Sequence, residues 1–147
     1  MGKRIMIVDD SELITYTVKD GLEELDPQCT VICVESGKQC IEYLEKNMTP
    51  DIILLDVMMP EMNGWELFKV IRKNENWANI PIVFVTAKTD NFSKGFGGVL
   101  AQEYIEKPFD IKDLKVRIDK ILSKPFVMSE TKKKVVNDML DVIPDLK

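Results

Sequence analysis

Ile52-Ile53-Leu54-Leu55-Asp56-Val57-Met58-Met59-Pro60-Glu61-Met62-Asn63-Gly64 is the stretch whose reading decides the fold. Four apolar residues in succession, the first two β-branched, describe a strand buried on both faces. The run ends in a carboxylate, which has to emerge at the carboxyl end of the strand, where open α/β sheets place their binding crevices. Pro60 and Gly64 punctuate a loop behind it. A single strand-end aspartate is ordinarily a cap or a loop residue. Here a second apolar run ends the same way: Arg4-Ile5-Met6-Ile7-Val8 gives way to Asp9-Asp10-Ser11.

Working outward, Ser11 to Leu25 reads as a helix with Leu13, Ile14, Val18, Leu22 and Leu25 on one face. Thr30 to Val34 is a second strand. Ser36-Gly37 opens a helix carrying Cys40, Ile41 and Leu44, which Thr49-Pro50 breaks. Beyond the central stretch, Trp65, Leu67, Phe68, Val70 and Ile71 form a third helix ending near Lys73. Ile82 to Val85 is a fourth strand ended by Thr86. Glu103 to Glu106 is a fifth strand ending at Lys107-Pro108, and Asp110 caps a helix through Leu122. Strand and helix alternate throughout with short connections, the pattern of a doubly wound five-stranded parallel sheet with helices on both faces.

Composition narrows the function. At 147 residues the chain suits one domain. A net charge of −5 lacks the basic footprint of a nucleic-acid binder. The longest apolar runs are too short to span a bilayer and no secretory h-region opens the chain, so a cytoplasmic protein that binds neither nucleic acid nor membrane is expected. Cys29, Cys33 and Cys40 read as reduced core thiols. The absence of histidine excludes Ser-His-Asp and Cys-His catalysis and any imidazole metal ligand.

In a parallel sheet the carboxyl ends of all strands share one rim. Asp9, Asp10, Asp56, Thr86 and Lys107 therefore converge there. Clustered carboxylates stay ionised together only with positive charge among them. Oxygen donors alone favour a hard cation such as Mg²⁺, which leaves room for phosphate oxygens. An ammonium and a hydroxyl nearby suit a transferring phosphoryl group, with Asp56 as the nucleophile.

These motifs, Ile7-Val8-Asp9-Asp10-Ser11, Leu54-Leu55-Asp56-Val57-Met58-Met59-Pro60, Asn63-Gly64, Val85-Thr86-Ala87 and Lys107-Pro108-Phe109, together resemble the receiver domain of two-component response regulators over about residues 3 to 123. The resemblance implies a flavodoxin-like fold and a signalling switch rather than an enzyme, limited to self-phosphorylation from a donor and self-dephosphorylation. It implies Asp56 as phosphoacceptor, Mg²⁺ held by Asp9, Asp10, Asp56 and the backbone carbonyl of Met58, Lys107 bridging to the phosphoryl group, and Thr86 with Tyr104 as the switch pair. Implied partners are a sensor histidine kinase or phosphotransfer protein as donor and a downstream protein target. Two readings compete: a receiver-like interaction module without phosphorylation, and an Asp-nucleophile, Mg²⁺-dependent phosphatase. The phosphatase type carries a second aspartate two residues after the nucleophile, where Met58 stands here.

Met58, Met59, Met62, Trp65 and Trp77 read as packing groups or loop cover. The resemblance implies that Met58 and Lys88, two residues beyond Asp56 and Thr86, flank the phosphoryl group, and an apolar Met58 cannot orient an attacking water. Slow self-dephosphorylation is expected, and Met58→Asn should shorten the half-life of the acyl phosphate. The run 91–100, with three glycines in four positions, is a poor helix. Domain boundaries are expected at 1–123 for the receiver and 124–147 for an extension. Ser129 there caps an amphipathic helix with Val135, Val136, Met139, Leu140 and Ile143 as its apolar stripe. The stripe has three destinations: the parent domain, a homodimer or other partner, or no fixed place.

Overall fold

The apolar runs become five parallel strands, β1 (Arg4–Val8), β2 (Thr30–Val34), β3 (Ile52–Leu55), β4 (Ile82–Ala87) and β5 (Glu103–Lys107), paired in the order β2-β1-β3-β4-β5. The computed structural model describes residues 2–87, 103–124 and 130–140, leaving aside the side chains of Thr86, Glu103, Lys132, Val135, Val136, Met139 and Leu140. The glycine-rich run 91–100, Lys88, Ser129 and Ile143 lie outside the described residues. The described helices are α1 (Glu12–Leu25), α2 (Gly37–Glu45), α3 (Gly64–Lys73), α4 (Ile111–Leu122) and α5 (Glu130–Leu140). The arrangement is the doubly wound, flavodoxin-like fold anticipated from the alternation of strand and helix.

Side chains alternate across each strand, so the sheet divides the core in two. Met6, Val8, Ile53, Leu55 and Phe84 face α2 and α3. Ile5, Ile7, Leu54, Val83 and Val85 face α1 and α4. β3 is the centre of both halves, and all four of its residues have 0 % exposure. On the first face, the Trp65 ring lies 4.7 Å from that of Phe84, and Phe68 lies 5.4 Å from Phe84. This aromatic group fixes the start of α3 against β4.

Edge strands are open to stray pairing. On β2, the outward backbone of Val31 is occupied by a clip from α1: Lys19 Nζ donates to its carbonyl at 3.0 Å and its N–H donates to Glu23 Oε2 at 2.9 Å. Lys19 also donates to Glu23 at 2.7 Å, and this bond, with the Val31 N–H, holds the Glu23 carboxyl below its ordinary range.

Several boundaries differ from the sequence reading. α1 presents Thr15, Val18 and Leu22 to the core, while Leu13 is 75 % and Leu25 44 % exposed. Consecutive helical residues are 100° apart, so Ile14 and Leu13 cannot both face the sheet. Val70 on α3 is likewise exposed. α2 stops at Glu45, ahead of Pro50, because Asn47 takes a left-handed conformation at φ 60°. β4 runs on through Thr86 and Ala87, which pair with Glu106 and Lys107 of a correspondingly longer β5.

Candidate functional site

Register brings the site together. Val8 lies level with Leu55 across the β1–β3 pairing, so the residues that follow, Asp9 and Asp56, emerge side by side. The backbone joins them as well, with Asp56 N–H donating to the Val8 carbonyl at 2.9 Å. Both strands are so apolar that these carboxylates are drawn in behind them, leaving Asp9 at 1 % and Asp56 at 4 % exposure. Asp10, one residue later, is exposed. Carboxylate oxygens of Asp9, Asp10 and Asp56 all lie within 4.8 Å of one another.

Lys107, at the end of β5, points its ammonium into this group. Its Nζ is 2.6 Å from Asp9 Oδ2 and 3.6 Å from Asp56 Oδ2. Among the four side chains, three carboxylates and one ammonium leave two formal negative charges in a largely buried place. That imbalance, presented by oxygen donors alone, fits a hard divalent cation.

Backbone amides steady the carboxylates. Ser11 N–H donates to Asp9 Oδ1 at 2.9 Å. Ser11 also caps α1, accepting from Ile14 N–H, so the chain leaves β1 and enters α1 along one defined path. Met58 N–H reaches Asp56 Oδ1 at 3.4 Å.

The loop after Asp56 is built more tightly than its sequence suggests. Asn63 accepts from Glu66 N–H at 2.9 Å, and Asn63 N–H donates to Glu66 Oε1 at 3.2 Å. This is a capping box, so Gly64 is the first residue of α3 rather than loop punctuation. A Cβ on Gly64 would come to 2.3 Å of the Asp56 carbonyl oxygen and 2.7 Å of Val57 Cα. Those are backbone atoms that cannot swing aside, so only glycine lets α3 begin so close behind Asp56. Gly64→Ala is expected to destabilise the fold by about 1–3 kcal/mol and to weaken cation binding at the rim. Chemical unfolding and a Mg²⁺ titration of the variant check this, and parent-like values in both refute it.

Of the residues singled out from sequence, Asp9, Asp10, Asp56 and Lys107 therefore meet, and Met58 borders them through its backbone. Thr86 has its backbone at the end of β4, while its side chain lies outside the described part. Tyr104 is half-buried against the aromatic face of the core, with its hydroxyl 3.5 Å from the Ala87 carbonyl. Met59 and Trp65 are buried as packing groups. Met58 is not: it is 63 % exposed.

Sequence reasoning took Gly64 for loop punctuation, passed over Glu66, and placed Leu13 on the packed face of α1. The capping box was visible as Asn63-x-x-Glu66 ahead of an apolar run.

Comparison with known proteins agrees with this geometry. The family model for the response regulator receiver domain matches residues 5–119. The chain is 38 % identical to the transcriptional regulatory protein CrdR of Helicobacter pylori, over 84 % of this chain and 56 % of that protein. It is 33 % identical to the alkaline phosphatase synthesis transcriptional regulatory protein PhoP of Bacillus subtilis, over 100 % of this chain and 60 % of that one. The chain thus spans little more than half the length of these curated relatives. In structure it resembles a putative response regulator from Chloroflexus aurantiacus, with a TM-score of 0.76 at 28 % identity, covering 84 % of this chain and 100 % of that one. Among the described residues no helix is long and apolar enough to cross a membrane. With the family model matched over residues 5–119, relatives at 38 % and 33 % identity and a shared fold, the chain belongs to the response regulator receiver domain family of two-component systems.

Proposed function

We propose that the chain is a phosphorylation-controlled switch in which Asp56 takes a phosphoryl group from a donor protein, a sensor histidine kinase or phosphotransfer protein. The observation that carries this reading is the placement of the Lys107 ammonium between the buried carboxylates of Asp9 and Asp56. An Asp56 oxygen attacks phosphorus, one O–P bond forms, and the bond from phosphorus to the donor breaks with its electron pair leaving on the donor. Lys107 offsets the charge that develops on the equatorial phosphoryl oxygens. Asp9, Asp10, Asp56 and the Met58 carbonyl are the groups that would hold Mg²⁺. When bound, the ion neutralises the carboxylates and the incoming phosphate. Incubation with a small acyl-phosphate donor, with and without Mg²⁺, followed by mass mapping, tests the reading. Stable label on the peptide bearing Asp56, dependent on Mg²⁺, is the expected result.

Phosphorylation adds roughly −1.5 to −2 charge and new acceptor oxygens at Asp56. In this reading Thr86 and Lys107 turn toward them, and Tyr104 follows, changing the surface that a downstream protein target meets. The unmodified chain has to sample that state already, since the modification only shifts an existing equilibrium.

A protein donor also needs a place to sit. Leu13 and Tyr16, one helical step apart on α1 and just past Asp10, are 75 % and 66 % exposed, an apolar surface beside the acidic rim. Leu13→Asp is expected to slow transfer from the protein donor about tenfold or more while labelling by a small acyl phosphate is unchanged. Equal losses with both donors would remove this surface from the donor's footprint.

A further inference from the structure

We propose that Met58 is an oxidation site through which a peroxide sets the lifetime of the acyl phosphate on Asp56. The proposal rests on the phosphoacceptor reading for its consequence, though not for the chemistry at sulfur. Three features of the loop single this thioether out.

Exposure is the first. Among the methionines whose side chains are described, Met6 has 0 % exposure, Met59 8 %, Met48 39 % and Met58 63 %, and Met62 is partly buried against the core. Oxidation of methionine follows access to sulfur. An exposed, unbranched apolar side chain also gives up packing that its neighbours keep, which packing itself does not explain.

Orientation is the second. Val57 is 5 % exposed and Met59 8 %, so both neighbours are anchored in the core. Between these two buried residues, in a tight turn closed by Met59 N–H donating to the Val57 carbonyl at 3.1 Å, Met58 is the residue left in solvent. Met58 borders an open cleft of about 420 Å³ lined also by Val57, Met59 and Asn63. At 63 % exposure the residue is open to a peroxide arriving from solvent.

Proximity to the reacting carboxylate is the third. Met58 N–H lies 3.4 Å from Asp56 Oδ1, so the side chain departs from a backbone atom tethered to the phosphoacceptor.

The chemistry is a two-electron oxygen transfer. The sulfur lone pair attacks one peroxide oxygen, an S–O bond forms and the O–O bond breaks. Sulfur is oxidised, the peroxide is reduced, and water leaves. The thioether, a weak acceptor, becomes a sulfoxide with a strongly accepting oxygen. A thioether cannot hold an attacking water beside a phosphorylated Asp56; a sulfoxide oxygen can accept a hydrogen bond from one. Oxidation therefore shortens the phosphorylated state, and reduction of the sulfoxide restores it. The loop becomes a point at which oxidising conditions curtail the signal without touching the donor.

The test uses the full chain exposed to limiting hydrogen peroxide, with oxidation at each methionine followed by peptide mass mapping and acyl-phosphate decay followed in parallel. Met58 is expected to oxidise ahead of Met48 and at least about tenfold faster than Met6. The oxidised chain is expected to lose label about three- to tenfold faster than the untreated chain, with the untreated rate recovered after treatment with methionine sulfoxide reductase. Met58→Leu is expected to show the same decay before and after peroxide. Oxidation at Met58 no faster than at Met6, an unchanged decay rate in the oxidised chain, or equal acceleration in Met58→Leu each overturns the proposal. Should the untreated chain take no label, the phosphoacceptor reading falls and the coupling with it, while the order of oxidation still decides whether Met58 is the favoured sulfur.

Discussion

Asp56→Asn is expected to give a folded chain that takes no label from a small acyl-phosphate donor in Mg²⁺, where the parent chain is labelled to near stoichiometry. The amide keeps the shape of the carboxylate but offers no anionic oxygen to attack phosphorus. The electrostatics make a second, less obvious prediction. Among the described side chains, Asp56 in the parent sits with two like charges, those of Asp9 and Asp10, within 4.8 Å and one opposite charge, that of Lys107, at 3.6 Å. Two repulsions outweigh one attraction at comparable distances, and burial of Asp56 at 4 % exposure strengthens both. Neutralising Asp56 is therefore expected to stabilise the fold by about 1 kcal/mol in the absence of divalent cations. Added Mg²⁺ is expected to stabilise the variant less than the parent, because a ligand is lost while stabilisation by a ligand follows its affinity for the folded state. Labelling, and thermal unfolding with and without Mg²⁺, read the two effects separately. Stoichiometric labelling of the variant removes Asp56 from its role. A destabilised variant that still takes no label leaves the role in place and rejects the repulsion argument.

How much of this was legible in the chain depends on how local each cause is. Asp9 and Asp56 announced themselves because an apolar run that ends in a carboxylate marks a strand end whatever the surroundings, and parallel strands put such ends on one rim. Convergence of the site followed from that. Leu13 was misread for the opposite reason: its neighbour Ile14 has the same apolar character, and only the direction in which α1 lies on the sheet decides which of the two is covered. Gly64 was read as a turn signal, since its actual duty, to let α3 start against the Asp56 carbonyl, is a contact eight residues away that no local pattern encodes. Asn47 ended α2 ahead of the more conspicuous Pro50, because a single left-handed residue suffices. The contrast between Met58 and Met59 is equally invisible in composition, as one anchors the loop and the other leaves it.

Lys107→Met carries the largest expected effect on stability. The ammonium is 2.6 Å from Asp9 Oδ2 and 3.6 Å from Asp56 Oδ2. Its own side chain is 22 % exposed, against 2 % and 5 % for those two carboxylates. Removing one partner of a buried pair is far more damaging than the net value of the pair, since it leaves charge in a place that solvates it poorly. Partial exposure of the lysine moderates the loss, and a destabilisation of about 2–3 kcal/mol is expected rather than the larger figure for a fully buried pair. Methionine retains the unbranched stem, so lost packing contributes little. Mg²⁺ offers a substitute positive charge to the same three carboxylates, and it is expected to stabilise Lys107→Met more than it stabilises the parent. The double variant Asp9→Asn/Lys107→Met separates this cause from any other. With the most deeply buried carboxylate also neutralised, stability should recover, giving a coupling energy of about 1–2 kcal/mol between the two sites. Urea unfolding of the parent, both single variants and the double variant, with and without Mg²⁺, supplies every quantity. Additive losses in that cycle mean that Lys107 supports the fold through its stem and not through the charge it brings to Asp9.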